Sequence, residues 1–378
     1  MSNDKSNLQG VPLPERIKEG RRARGLTQLE LAQALSLTKQ AISQYESGMT
    51  TPKAEVFEAI CDILQLPYGY FYKPIPYELT SPIFFRKRKT ASKKDYEMFE
   101  SRVCWMLEIY HYVKQFIEFP EVKLYDCSQT HYSFEEIIEI AGEVRKFWGL
   151  GQGPISNLSL LLENNGFLIS KVIMETRKVD ACSVAYTDTE DKRPIIFSTP
   201  DTSAVRSRRD LAHETAHQFL HSSVDQEYFD ANRERLDAEA EWFSTAFLLP
   251  PEAVKREAYA LNSLESLLLL KRRWKASAQS ILYYLRDLEI IKPNQFKYLS
   301  QQIYTRKWKF SEPYDNQIEQ EQPELITQAC KLILDNKVRT AEQFVEDLSF
   351  PVNDIEQLCG LEQGTLTRKI RPVLELIK

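Results

Sequence analysis

Residues 211–221 read LAHETAHQFLH, and this one stretch holds three of the five histidines in a chain of 378 residues. The spacing constrains the backbone. His213 and His217 stand four positions apart, and a helix puts residues i and i+4 side by side on one face. Two imidazoles so placed can hold one metal ion from the same side. Glu214 sits one position further round, where it can take a proton from a metal-bound water and later pass it to a leaving amine. HExxH at 213–217 therefore predicts a Zn2+ centre with His213 and His217 as ligands and Glu214 as the catalytic acid–base. The plainer alternative is a polar helix carrying two accidental histidines.

A catalytic zinc keeps three protein ligands and one open position, so a third ligand is needed. RLDAEAEWFSTAFLLPP (235–251) offers candidates on a helix expected over about 233–248. Ala240, Phe243, Ser244 and Phe247 share one helical face, which is the buried one. At about 100° per residue, Asp237 falls about 60° from the centre of that face and Glu239 about 100° away on the other side. Geometry prefers Asp237. Glu239 and Glu241 have the longer side chain and stay open as alternatives. His221, eight residues after His213, drifts about 80° round an ideal helix, so it is expected to support the site or the core and not to bind metal.

Composition bounds the rest. With 43% hydrophobic and 27% charged residues, net charge −5 and only 12 glycines, the chain is expected to form two or three packed domains with little disorder. No apolar run approaches the ~18 residues a membrane span needs. MSNDKSNLQGVPLPERIKEG lacks the apolar centre of a secretory signal. The six cysteines (61, 104, 127, 182, 330 and 359) form no CxxC pair. Together these features give the expectation of a cytoplasmic protein with reduced thiols and no membrane partner.

Along the chain, residues 14–73 are dense in short amphipathic helical patterns, within a first domain over 1–73. KPIPYELTSPIFF and the basic run RKRKTASKK (86–94) then read as a linker over 74–94. A helical period runs from Asp95 to about Phe119 through Phe99, Val103, Met106, Leu107, Tyr110 and Val113. The β-rich runs GFLISKVIM, SVAYTD and RPIIFST (roughly 166–174, 183–188 and 193–199) predict a small sheet before the histidine helix. RPIIFST is expected at its edge, open to an extended peptide. Arg208 and Arg209 are expected mainly as surface or capping residues, with pairing to acids near the site as the alternative. Helical patterns continue to 292, completing a metal-bearing domain over 95–292. A helical region follows over 293–378, around the acidic stretch SEPYDNQIEQEQPE, and is assigned a partner- or substrate-docking role.

The segment GLTQLELAQALSLTKQAISQYESG (25–48) reads as two consecutive helices. Leu31, Ala32, Leu35, Ile42 and Tyr45 are spaced to bury one face, and Thr27 and Thr38 stand at N-cap positions. The second helix then presents Lys39, Gln40, Ser43 and Gln44, the side-chain types that read base edges and phosphates in the major groove. This stretch resembles the Xre/Cro-type helix-turn-helix over roughly residues 14–73, a domain expected to have five helices. The resemblance implies a double-stranded DNA operator as partner and Gln28, Thr38, Lys39, Gln40, Ser43 and Gln44 as DNA contacts. Charge within the domain is nearly balanced, so the basic run at 86–94 is a candidate source of phosphate affinity.

HETAHQFLH followed by DAEAEWFSTAFLLPPE resembles the ImmA/IrrE family of zinc metallo-endopeptidases over roughly 80–290. GPISNLSLLLENNGFLI, RPIIFS and SRRDLAHE agree with it. The resemblance implies a mainly α (α+β) zincin-like fold and cleavage of a repressor-like protein, or of the chain itself, in a stress or mobile-element response. It also departs from the family. The glutamate ligand of the family falls on Asp237, one methylene shorter, and HELGH is HETAH here, at two positions that are not ligands. The runner-up reading is a transcription factor whose zinc domain is a non-catalytic sensor or structural module. Fusing the two modules would hold a peptidase close to a DNA-bound substrate, raising its effective concentration. A two-fold operator would imply a homodimer.

Overall fold

The computed structural model describes residues 10–76, 78–79, 84–87, 92–127, 129–171, 179–187, 192–198, 203–309 and 311–367. Residues 88–91 of the basic run 86–94 lie outside them. The N-terminal helices are α1 Pro14–Ala23, α2 Gln28–Ala34, α3 Lys39–Glu46 and α4 Ala54–Leu64, followed by a 3-10 turn at Tyr68–Tyr72. The expected fifth helix is therefore this short turn. Its Tyr70 and Phe71 are buried. Next come α5 Lys93–Val113, α6 Phe134–Phe147, α7 Leu158–Asn164, α8 Ala204–Leu220 and α9 Gln226–Leu248. The chain continues through α10 Pro251–Glu257, α11 Leu264–Trp274, α12 Ala278–Asp287 and α13 Pro293–Thr305, and ends with α14 Leu325–Asp335, α15 Ala341–Leu348 and α16 Val352–Leu358. The strands are β1 Glu78–Leu79, β2 Phe84–Lys87, β3 Leu168–Lys171, β4 Val179–Thr187 and β5 Lys192–Ser198. The architecture is mainly α with one small sheet, as the sequence predicts.

That sheet has the order β1-β4-β5-β3, with β2 also pairing to β4. β5 runs parallel to β3 and antiparallel to β4, so RPIIFST is interior and the expected edge position is corrected. The physical reason is the backbone pairing, which gives β5 a partner along each side, and both of its faces are covered as well. Leu168, Ile195 and Phe197 join one hydrophobic core while Ile169 and Ile196 join another. An apolar run with no polar alternation marks a strand covered on both faces.

The first core gathers α1–α5, the 3-10 turn and α14–α16 against one face of the sheet. The second gathers α6–α13 against the other. Long-range polar pairs tie the N-terminal helices to elements far along the chain. Buried Arg16 pairs with Glu19 and Glu108, its Nη2 lying 2.9 Å from Glu108 Oε2. Arg24 grips Asp354 with both Nη atoms at 3.1 and 2.8 Å. Trp105 and Phe350 pack in a tilted arrangement with ring centroids 5.2 Å apart. The buried Arg16–Glu108 pair is costly to break singly, about 3–5 kcal/mol when one partner is lost.

The acidic stretch 311–324 spans the second core as a strap held by its carboxylates. Glu312 accepts from the Ala278 N–H at 2.7 Å and the Gln279 N–H at 3.1 Å, at the start of α12, and pairs with buried Lys271 at 2.7 Å. Glu321 repeats the device at α7, accepting from Leu158 N and Ser159 N at 2.8 and 3.1 Å and pairing with Arg208. Each carboxylate thus meets a helix N-terminus and a cation at once. Arg208 is 1% exposed and also donates to the Ile155 carbonyl, which corrects its expected surface position.

Candidate metal centre and nucleic-acid interface

α8 begins at the N-cap Ser203 and ends at the C-cap His221. It packs between the sheet and α9, so that nearly its whole length is buried. His213, Glu214 and His217 are 3%, 1% and 2% exposed. Burying polar groups in this way is unfavourable unless they meet partners. His213 Nε2 and His217 Nε2 lie 3.2 Å apart, and Asp237 Oδ1 on α9 lies 3.8 Å from His217 Nε2. The three donor atoms fall within 4.8 Å of one another. Two nitrogens each about 2.0 Å from one tetrahedral zinc stand about 3.3 Å apart, so the histidine pair has the spacing such an ion requires. Two neutral imidazoles and a carboxylate are a donor set zinc accepts. Asp237 is the least buried of the three, with its side chain 44% exposed.

The two longer carboxylates on α9 serve neighbours. Glu239 Oε2 accepts from His221 Nε2 at 3.0 Å, and its Oε1 meets Arg235 Nη1 at 2.6 Å and His131 Nδ1 at 2.9 Å. Burial would raise this carboxyl, but the hydrogen bonds from His221, His131 and Arg235 outweigh it and hold it down to about 2. Glu241 bonds Arg209 Nε at 2.7 Å and lies 3.7 Å from His213 Nδ1.

His221 links the layers. Its Nδ1 is 2.8 Å from His217 Nδ1. One proton arrangement satisfies the chain: His217 Nδ1–H donates to His221 Nδ1, and His221 Nε2–H donates to Glu239. That leaves His217 Nε2 unprotonated and pointed toward His213 and Asp237. Burial also favours the neutral form of His221, lowering its pKa against the pull of Glu239. Outer partners of this kind fix the tautomer and orientation of a metal-ligating histidine. His131, in the loop before α6, went unnoticed in the sequence because a lone histidine in an irregular segment has no period to mark it. With it, four of the chain's five histidines converge on this region.

At the other end of the chain, Thr27 forms a capping box with Glu30 at the start of α2, and Thr38 Oγ1 accepts from Ala41 N at 3.2 Å at the start of α3. Leu31, Ala32 and Ile42 are buried, with Leu35 and Tyr45 packed against them. Thr38, Lys39, Gln40 and Ser43 are exposed, and Gln44 is half-buried. Gln28 is half-buried, and its Nε2 donates to Glu46 Oε2 at 2.8 Å, beside Arg21. The carboxamide of Gln28 is thus engaged within the domain, unlike the outward residues of α3.

Comparison with known proteins agrees with both halves. Residues 17–71 match the helix-turn-helix family, and residues 172–286 match the IrrE N-terminal-like domain of the M78 peptidases. The chain carries a helix-turn-helix module and an M78 peptidase-family domain. It is also 29% identical over 72 residues to an uncharacterized HTH-type transcriptional regulator, y4aM, of Sinorhizobium fredii, a match covering 19% of this chain and 50% of the relative. The chain therefore spans half the length of that relative. None of the helices among the described residues is long and apolar enough to cross a membrane.

Proposed function

We propose that this chain is a DNA-binding regulator with zinc-dependent endopeptidase activity directed at a protein substrate, a repressor-like protein or the chain itself. The observation that carries this reading is the convergence within 4.8 Å of donor atoms from His213 and His217, on the helix that also bears Glu214, and from Asp237 on α9. When bound, zinc would polarise the scissile carbonyl and lower the pKa of a water. The residues do the rest. His213, His217 and Asp237 hold the ion, Glu214 takes the proton of the attacking water and returns it to the departing amine, and the His221–Glu239 pair keeps His217 in the ligating tautomer. Lys39, Gln40, Ser43 and Gln44, with Thr38 at the helix start, face the operator, and Gln28 braces them from α2. A cytoplasmic setting fits both activities.

The exposure of Asp237 favours a second reading, a sensor that holds zinc without turning over peptide. Glu214→Gln separates the two. Zinc content by elemental analysis should stay near one equivalent while cleavage of repressor-like proteins, followed by mass spectrometry, is lost. Wild-type protein with stoichiometric zinc and no cut product under any condition would sink the peptidase reading in favour of the sensor.

A further inference from the structure

The outer edge of β4 is not open. β5 pairs one side of β4 through Ala181–Thr187, and the other side is paired by the chain's own connection between the N-terminal helices and α5. Glu78 and Leu79 register with Thr187 and Tyr186, while Phe84, Phe85 and Lys87 register with Ser183, Cys182 and Val179. Both short strands run antiparallel to β4 and follow one another along a single edge, with the register slipping between Phe85 and Lys87. β4 also packs against α8, the helix that carries His213 and His217.

We infer that β1 and β2 are an internal blocking strand: they occupy the edge of β4 on which an extended peptide would otherwise dock beside the metal helix. An exposed strand edge is a template for any segment that can complete its ladder, and this edge already holds one. The anchoring on either side makes the segment separable from the fold. Before β1, Arg16 holds the carbonyls of Lys73 and Pro74 at 2.8 and 3.0 Å. After β2, Ser92 opens α5 with a capping box to Asp95. The N-terminal helices stay docked through Arg16–Glu108, Arg24–Asp354 and Lys94–Glu30, none of which belongs to β1 or β2. The blocking strand can therefore leave β4 while the helix-turn-helix module keeps its place. A tethered segment competes at an effective concentration of roughly millimolar, enough to exclude a weak peptide and still yield to a tight one.

This inference rests on the peptidase reading only for its biological sense, so its test uses binding. In the zinc-loaded Glu214→Gln chain, a fluorescent peptide with the sequence of residues 76–89 is titrated by anisotropy, with and without the added pair Phe84→Pro and Phe85→Pro. Proline removes the N–H that a ladder needs. Release of the strand should tighten peptide binding by at least about tenfold, in line with removal of a tethered competitor. In the parent chain, a large excess of the peptide should speed hydrogen exchange at residues 84–87 while α5 and α8 stay protected. Should the proline variant fold poorly, this second measurement stands by itself. Equal affinity in a folded proline variant, or unchanged exchange at 84–87 under saturating peptide, overturns the inference. Displacement of the strand, together with no cut product from the wild-type chain on any repressor-like protein, would remove the peptidase reading and leave the blocking strand standing.

Discussion

α3 and α8 are both helices rich in polar residues, and the protein treats them in opposite ways. α3 turns Lys39, Gln40 and Ser43 outward and buries little beyond Ile42. α8 buries His213, Glu214, His217 and Gln218 along with its apolar residues. Exposed polar groups stay hydrated at little cost and suit a large external partner, as in groove reading of DNA. Buried ones must find partners inside the molecule or bind something small that completes them. The contrast sets an outward polar face on α3 against an interior polar cluster on α8.

Experiments can press on that contrast, beginning with the largest effect. Glu214→Gln should lower the cleavage rate by about 10²–10⁴, the range expected for loss of a positioned proton carrier, and leave operator affinity unchanged in a gel-shift assay. Zinc added at about a thousand times its Kd should stabilise the protein by about 4 kcal/mol. The gain in hydrogen-exchange protection should concentrate in α8 and α9; an equal gain in α2 and α3 would erase the distinction. His221→Ala should weaken zinc binding by about 10–100-fold, as loss of an outer partner does, measured by competition with a chromogenic chelator. Gln40→Ala should cost about 1–3 kcal/mol of operator binding if it reads a base, and being an exposed surface change it should move folding stability by no more than about 0.5 kcal/mol.

The smallest effect concerns Glu30, whose carboxyl is held at about 2 by the Lys94 ammonium and by the Thr27 N–H and side chain. Its folded pKa lies below the ordinary value, so its contribution is present above about pH 4.5 and is lost as pH falls toward 2. An NMR titration should show that low midpoint, and Lys94→Ala should raise it.

The sequence made α8 legible because one short period, i to i+4, carries both the helix and the chemistry. Asp237 followed from angular position on α9, and the structure brings its carboxylate toward His217. What escaped was long-range. β5 could be placed as interior only once its two partner strands were known, since an apolar run reads the same at an edge or in the middle. The strap carboxylates Glu312 and Glu321 lie in a stretch the sequence marks only as acidic, and only the fold sets them on α12 and α7. The start of α9 at Gln226 also lay earlier than its apolar period, because Asp225 supplies a cap that begins the helix among polar residues.

The grip of Arg16 on Glu108 and of Arg24 on Asp354 has a consequence for reach. A module hung on a slack tether samples a cloud of positions, whereas one riveted to α5 and α16 points the same way each time. Bound to an operator, such a molecule would carry its metal centre at a fixed offset along and around the double helix. Shifting a neighbouring protein's site by half a helical turn would then swing that protein to the opposite side, out of range, with every contact to DNA intact.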